Sequence, residues 1–468
     1  MTSFLDPDRR GTHGDARRGA NGRRYPGHDE PSLVTHLVAE LRREVAAQLG
    51  ALPPGGDGLD GSPAAGRQDA ARRLVAQALD RYATASLSAG HQVLDAQAEA
   101  RIERAVLDGL FGLGGLQPWL DDPDVENLNV NGCDRVFVRY ADGTRARVGA
   151  VADSDEDLVD LIRLVAARSG LEERRFDRGA PALNLSLPGG ARLFAVMAVT
   201  GRPSVSIRRH RYLNVTLDQL VALGEMDDAL AAQLSALVQA GKNILVAGGA
   251  ASGKTTLLRA LAAEIDPAER LVTIEDTLEL GLDVDTDLHP DVVALQAREA
   301  NIEGQGAIEL ADLVRWALRM SPDRVIVGEV RGAELIPMLN AMSQGNDGSL
   351  STIHSSTSAG VFDKLAAYAA QAPERLSREA TTLLVAAAVH VVVHLALTPD
   401  GTRVVSSVRE VIAADGPQVV SNEVYAPGPD RRAVPAAPWR TSTVQDLVAA
   451  GLDPAWLQHQ PPDTRWHT

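Results

Sequence analysis

One stretch restricts the possible folds of this chain more than any other. GGAASGKTT, residues 248–256, follows the apolar run NILVAGG (243–249) and leads into TTLLRALAAE (255–264), a good helix former. Its spacing matches G-x-x-x-x-G-K-[ST] at Gly248, Gly253, Lys254 and Thr255. Glycines let such a loop close on a phosphate with its N–H groups turned inward, and the following helix aims its N-terminus at the anion. Gly248, Gly249, Ala250, Ala251, Ser252, Gly253, Lys254, Thr255 and Thr256 therefore form the candidate nucleotide loop, with ATP and Mg²⁺ as expected ligands. Lys254 would neutralise the β- and γ-phosphates, and the Thr255 hydroxyl would face Mg²⁺. A chance glycine turn would need neither the strand before it nor the helix after it.

The rest of that half alternates helix and strand, which predicts a mostly parallel sheet. DRVIVGEV, residues 323–330, reads as a buried strand delivering Glu329 at its tip. In many ATPases such a strand ends in two acids, an aspartate for Mg²⁺ and a glutamate for water; Gly328 stands where the aspartate would be. LVTIEDTLEL (271–280) ends in Glu275 and Asp276, with Glu279 beyond. Ligands of open parallel sheets sit at the carboxyl ends of strands, so Glu275 and Glu329 are expected to share one site and divide the metal and water roles. SLSTIH (349–354) places His354 at another strand end, where a structural role and a γ-phosphate contact both stand open. Between residues 271 and 310 there are ten acids and one base, Arg298, so an acidic rim beside phosphate calls for cations. SIRRHR (206–211) offers Arg208, Arg209 and Arg211 at a domain seam; Arg192, Arg319 and Arg331 are further candidates. For each arginine the plain alternative is a surface salt bridge.

A chain of 468 residues exceeds one ordinary core. Residues 1–32, rich in Gly and Arg, read as a disordered tail, and 33–113 as a helical region with a linker at 51–66. Residues 114–212 read as a small α+β domain with hairpins around Asn131-Gly132 and Pro188-Gly189-Gly190, and a helix capped by Ser154. Residues 213–427 form the α/β half, and 428–468 read as a loose Pro-, Ala- and Arg-rich tail. A net charge of −16 argues against a surface that coats nucleic acid. The single cysteine, Cys133, forbids an intrachain disulfide and a four-cysteine zinc site, and fits a reducing compartment. The first residues lack a secretory apolar region. LLVAAAVHVVVHLAL (383–397) is short for a membrane span and reads as a helix end followed by a buried strand.

LVTIEDTLEL, LVRWALRMSPDRVIVGEVRG and GSLSTIH together resemble the secretion ATPases of type II and type IV systems. GLGGLQPWLDDPDVENLNVNGCDRVFV, PGGARLFAV, SIRR and REANIEGQGAIELADLVRWALRMSPDR are similar to the CpaF-like branch of Tad (Flp) pilus assembly. The resemblance spans residues 114–411. It implies a homohexameric ring pairing an N-terminal α/β domain with a RecA-like P-loop ATPase domain, with ATP in the cleft between them. It further implies a cytoplasmic motor, peripherally associated with the inner face of the membrane and working on platform proteins of a pilus or secretion machine. By position, the family's acidic box falls on 273–279 with Glu275 as metal or water ligand. Its atypical Walker B falls on 323–329 with Glu329 catalytic. Its histidine box falls on 345–354 with His354 near the γ-phosphate, and its seam arginines fall on Arg208 and Arg209. Asn346 replaces a common histidine, and Ser355-Ser356 replace Ala-Asn, which leaves phosphate sensing open. A conjugation (type IV DNA-transfer) ATPase would use the same groups, and a non-hydrolysing nucleotide-gated scaffold is a third reading.

Overall fold

A computed structural model describes residues 32–51, 63–168, 175–187, 190–209, 214–298, 300 and 304–457. It divides into two compact units, Met1–Gly115 and Leu116–Thr468. In the first, α1 (Ser32–Ala51), α2 (Pro63–Ser88) and α3 (Ala96–Phe111) bury Leu41, Val45, Val75, Ile102 and Val106 together. Asp95 caps α3 by accepting from the Ala98 N–H at 2.6 Å. The expected tail at 1–31 lies outside the described residues. The linker expected at 51–66 gives way to helix from Pro63, because proline fits the first helical turn, whose N–H has no partner.

The second unit opens with α4 (Gln117–Asp121) and a six-stranded antiparallel sheet. Its strands are β1 (Val125–Asn131), β2 (Val136–Tyr140), β3 (Arg145–Val148), β4 (Ala182–Ser186), β5 (Arg192–Val196) and β6 (Ser204–Arg208), ordered β3-β2-β1-β6-β5-β4. α5 (Asp155–Arg168) lies between β3 and β4, with the Asp157 N–H donating to Ser154 Oγ at 3.0 Å. Alternation buries Leu128, Val130, Leu193, Val205 and Ile207. The opposite face carries Arg192 and Arg208, which are register partners, with Asn127 beyond Arg208. The first hairpin turn falls after Asn131, which stays in β1 opposite Ser204.

The α/β half supplies β7 (Ile244–Gly248), β8 (Leu271–Glu275), β9 (Val292–Gln296), β10 (Arg324–Val330), β11 (Leu350–His354), β12 (Val391–Leu397), β13 (Arg403–Asp415), β14 (Gln418–Pro427) and β15 (Ala433–Pro435). The order is β15-β14-β13-β12-β7-β11-β10-β8-β9. From β12 to β9 every pairing is parallel; β13, β14 and β15 are added antiparallel. Two apolar layers sandwich the sheet. Ile244 and Val246 face α7 (Asp228–Gln239) and α8 (Lys254–Ala262), which follow α6 (Leu217–Ala222). Leu245 and Ala247 face the layer built by α9 (Leu310–Ala317), α10 (Leu335–Met342), α11 (Gly360–Gln371) and α12 (Arg378–Ala388). α12 ends before β12 begins, so residues 383–397 are helix end and strand. Among the described residues, no helix is long and apolar enough to cross a membrane.

Two sequence expectations fail here. β9 was not anticipated: VVALQ sits in the acidic stretch and each of its residues is only half-buried, so its apolar signal is weak. The loose tail expected from 428 is folded as far as Leu457. β15, α13 (Thr441–Ala449) and a final turn bring Trp439, Leu447 and Leu452 into the main core. Trp439 Nε1 donates to Gln233 Oε1 at 2.8 Å, and Gln233 Nε2 donates to Tyr425 Oη at 2.8 Å. Few apolar residues anchor this segment, and its Pro- and Arg-rich composition masks them.

Truncating Leu447, which is fully buried, should therefore cost about 2–5 kcal/mol. Val448→Ala, at an exposed neighbour, should change stability by no more than about 0.5 kcal/mol. Denaturant unfolding of the two variants checks this; equal, small effects would mean that α13 is not part of the core.

Candidate nucleotide-binding site

The register of the parallel strands brings the chemistry to one level. Gly248 pairs with His354, Val330 with Ile353, and Val327 with Ile274. The strands therefore deliver the loop, His354, Glu329 and Glu275 to one edge of the sheet. A Cβ at Gly248 would lie 2.5 Å from Ser252 Oγ and 2.9 Å from the Leu395 carbonyl, so the loop's first position has no room for a side chain. The chain then curls through Ala251 (φ 59°) and Gly253 (φ 100°) into α8. Gly249 O accepts from Ser252 Oγ at 2.9 Å and from Lys254 Nζ at 3.0 Å. Burial lowers the Lys254 pKa, and Glu329 opposes the shift.

The loop residues 250–256 line a cleft of about 170 Å³ with Glu275, Glu329, His354 and Arg208. Most of the expected site residues are thus brought together. Arg209 does not line this cleft: β6 ends at Arg208, and Arg209 Nη1 donates to the Asp122 carbonyl at 2.6 Å, although the residue lines a second cleft beside loop residues 250, 251, 253 and 256. Arg319 does not line the cleft, and Arg211 lies outside the described residues.

His354 links two of the groups. Its Nε2 is 2.8 Å from Glu329 Oε1, and its Nδ1 is 3.3 Å from Lys254 Nζ. A charged lysine can only donate, so Nδ1 accepts and the proton sits on Nε2, donated to Glu329. Burial lowers the His354 pKa, with Glu329 pulling the other way, and the imidazole is neutral. The acidic rim is answered by arginines. Arg331 lies 3.5 Å from Glu329 Oε2 and 3.0 Å from Asp276, and Arg192 reaches Asp276 at 3.5 Å and Glu279 at 3.2 Å.

Asn184 and Ser186, neither singled out from sequence, seat the small domain on this rim. Asn184 Nδ2 donates to Thr277 Oγ1 at 2.7 Å, and Ser186 Oγ to the Leu278 carbonyl at 3.1 Å. Their alternation on β4, on the face that carries Arg192, was the available signal. Asn346 lies just before β11, at the end opposite His354. Its Nδ2 donates to the Pro322 carbonyl at 2.6 Å, fastening the loop that leads into β10.

Glu275 explains Gly328. The carboxyl is 4% exposed; Oε1 accepts from the Glu279 and Leu280 N–H groups at 3.0 and 2.9 Å, while Oε2 is buried without a partner. Burial pushes its pKa up to about 7. A Cβ at position 328 would lie 3.0 Å from Glu275 Cγ. The acid from β8 fills the space that a side chain on β10 would need. Gly328→Ala should cost about 1–3 kcal/mol through overpacking. In a Glu275→Ala background the cost should largely vanish, as denaturant unfolding of the four-variant cycle would show.

A second cleft, of about 910 Å³, opens between the polar face of the small sheet and loop residues 250, 251, 253 and 256. Glu225 lines it, is 5% exposed, and has no partner at Oε1. Burial raises its pKa from 4.5 to about 8, against the pull of Arg403. Between those values the folded chain holds a proton that the unfolded chain has released. Stability should therefore fall, on the order of a few kcal/mol, as pH rises from about 4.5 to about 8. Glu225→Gln should flatten that decline in pH-dependent unfolding.

A model of the type II/IV secretion system protein family matches residues 139–423, more than half of the chain. A Mycobacterium tuberculosis protein named for conjugal transfer is 36% identical over 322 residues, covering 67% of this chain and 88% of the relative. The type IV secretion system protein VirB11 of Brucella suis is 32% identical over 326 residues, covering 64% of this chain and 88% of the relative. The crystal structure of the VirB11 ATPase from the Brucella suis type IV secretion system, in complex with sulphate, matches 66% of this chain and 96% of its own at 31% identity, with a TM-score of 0.34. The chain belongs to the type II/IV secretion system protein family and is an ATPase of that family.

Proposed function

We propose that this ATPase is a hexameric motor that hydrolyses ATP to drive a pilus-assembly or protein-secretion machine at the inner face of the cytoplasmic membrane. A Tad-type pilus is the leading assignment, on the CpaF-like blocks quoted above. The observation that carries the reading is the convergence of loop, Glu275, Glu329 and His354 on one cleft from adjacent parallel strands.

In this reading Lys254 and the loop hold the β- and γ-phosphates. The Thr255 hydroxyl and Glu275 would hold Mg²⁺, directly or through water. The orphaned Glu275 Oε2 at the cleft fits a cation. When bound, the ion supplies charge for the γ-phosphate oxygens. Glu329 orients the attacking water and accepts its proton, while the neutral His354 fixes the carboxylate and faces Lys254. Arg208 brings positive charge to the cleft from the small domain.

The second reading is a DNA-transfer motor of a conjugation system, favoured by the relative named for conjugal transfer. Its catalytic groups are the same, so neighbouring genes discriminate: prepilin genes favour the pilus, relaxase genes conjugation.

The purified chain with Mg²⁺ and ATP should release phosphate and run as a hexamer by particle mass. Lys254→Ala and Glu329→Gln should each lower turnover by at least about 100-fold. Full turnover in both variants would overturn the site assignment. Tight ATP binding by a hexamer without phosphate release would instead identify a nucleotide-gated scaffold.

A further inference from the structure

Arg403, at the start of β13, meets both the loop and the small domain. Its Nε donates to the Ala251 carbonyl in the loop at 3.1 Å, and its Nη2 lies 3.6 Å from Glu126 Oε1 on β1 of the small domain. Its Cδ packs 3.3 Å from where a Gly253 side chain would begin. Glu126 is mostly shielded, with its side chain 13% exposed. Ala251 is the loop residue that holds a left-handed backbone without being glycine, a conformation that needs outside support. The peptide bond after it is trans, so its C=O and the Ser252 N–H point in opposite directions. A guanidinium that holds the carbonyl outward turns the Ser252 N–H away from Arg403, toward the inside of the loop.

We propose that Arg403 is a positioning residue for nucleotide binding: it fixes the peptide plane between Ala251 and Ser252 and ties it, through Glu126, to the small domain. A shift of the small domain then reaches the phosphate loop through one side chain. The inference rests on the reading of residues 248–256 as the nucleotide loop.

The test measures the affinity of full-length protein for a fluorescent ADP analogue, with KM and kcat for ATP and an independent unfolding midpoint. Arg403→Ala should weaken analogue binding and raise the KM for ATP by about tenfold, while kcat falls less than about threefold. Arg403→Lys, which can still donate to a carbonyl, should recover part of the affinity. Glu126→Gln should weaken binding severalfold alone and add nothing in the Arg403→Ala background. If Arg403→Ala does not fold, Arg403→Lys and Glu126→Gln carry the test. Wild-type affinity and KM in the arginine variants, or additive effects of Arg403→Ala and Glu126→Gln, would overturn the proposal. Lys254→Ala is the control. Undiminished binding by that variant would sink the nucleotide-loop reading itself, whereas lost binding there with full binding by Arg403→Ala would sink only the role of Arg403.

Discussion

The parallel register of β8, β10, β11 and β7 is the constraint on which the rest depends. These strands are buried on both faces, so the few polar side chains within them, such as Thr273, Ser351 and Thr352, are enclosed. The ionisable groups of the cleft appear where the strands run out of core. Register makes all four run out at one level, which is why Glu275, Glu329, His354 and the loop meet without any being close in sequence.

That arrangement has a cost, concentrated at Glu275. Its carboxyl is more buried than the others at the cleft, with two backbone donors on one oxygen and none on the other. Desolvation dominates, and the proton stays to about pH 7. A divalent cation beside the orphaned oxygen would offset that penalty. Gly328 belongs to the same solution. A second acid on β10 would have put its side chain where the Glu275 stem already lies. The apparent gap in DRVIVGEV is space used by a neighbouring strand.

Much of this was legible because fully buried strands read as unbroken apolar runs and the loop motif has a fixed spacing. Glu275, Glu329, His354 and Arg208 could be placed from strand ends alone. The rest depended on tertiary neighbours. β9 offers only the four-residue apolar run VVAL, set between polar residues of the acidic stretch and half-buried in the fold. The final segment packs through Trp439 and Leu447 onto α7, some two hundred residues earlier. Arg209 looked equivalent to Arg208, yet one step past the strand end its guanidinium bonds the Asp122 carbonyl. Asn184 and Arg403 contact residues more than ninety positions away, which no local spacing reports.

The strengths of these contacts are uneven. The central strands and the two apolar layers packed on them are buried and hold the strand ends at the cleft rigid. The ion pairs along the rim, among them those that Arg192 brings from the small domain, are of another kind. Arg192 reaches Asp276 and Glu279, and Arg331 bridges Asp276 to Glu329, all through side chains that keep partial access to water. Ion pairs at such exposure are each worth about 0–1 kcal/mol. They can be exchanged for other partners at little cost, yet they lie in series. Withdrawing Arg192 leaves Asp276 to Arg331 alone and so alters the charge beside Glu329. The small domain is thereby linked to the surroundings of Glu329 through a short series of weak, water-accessible ion pairs.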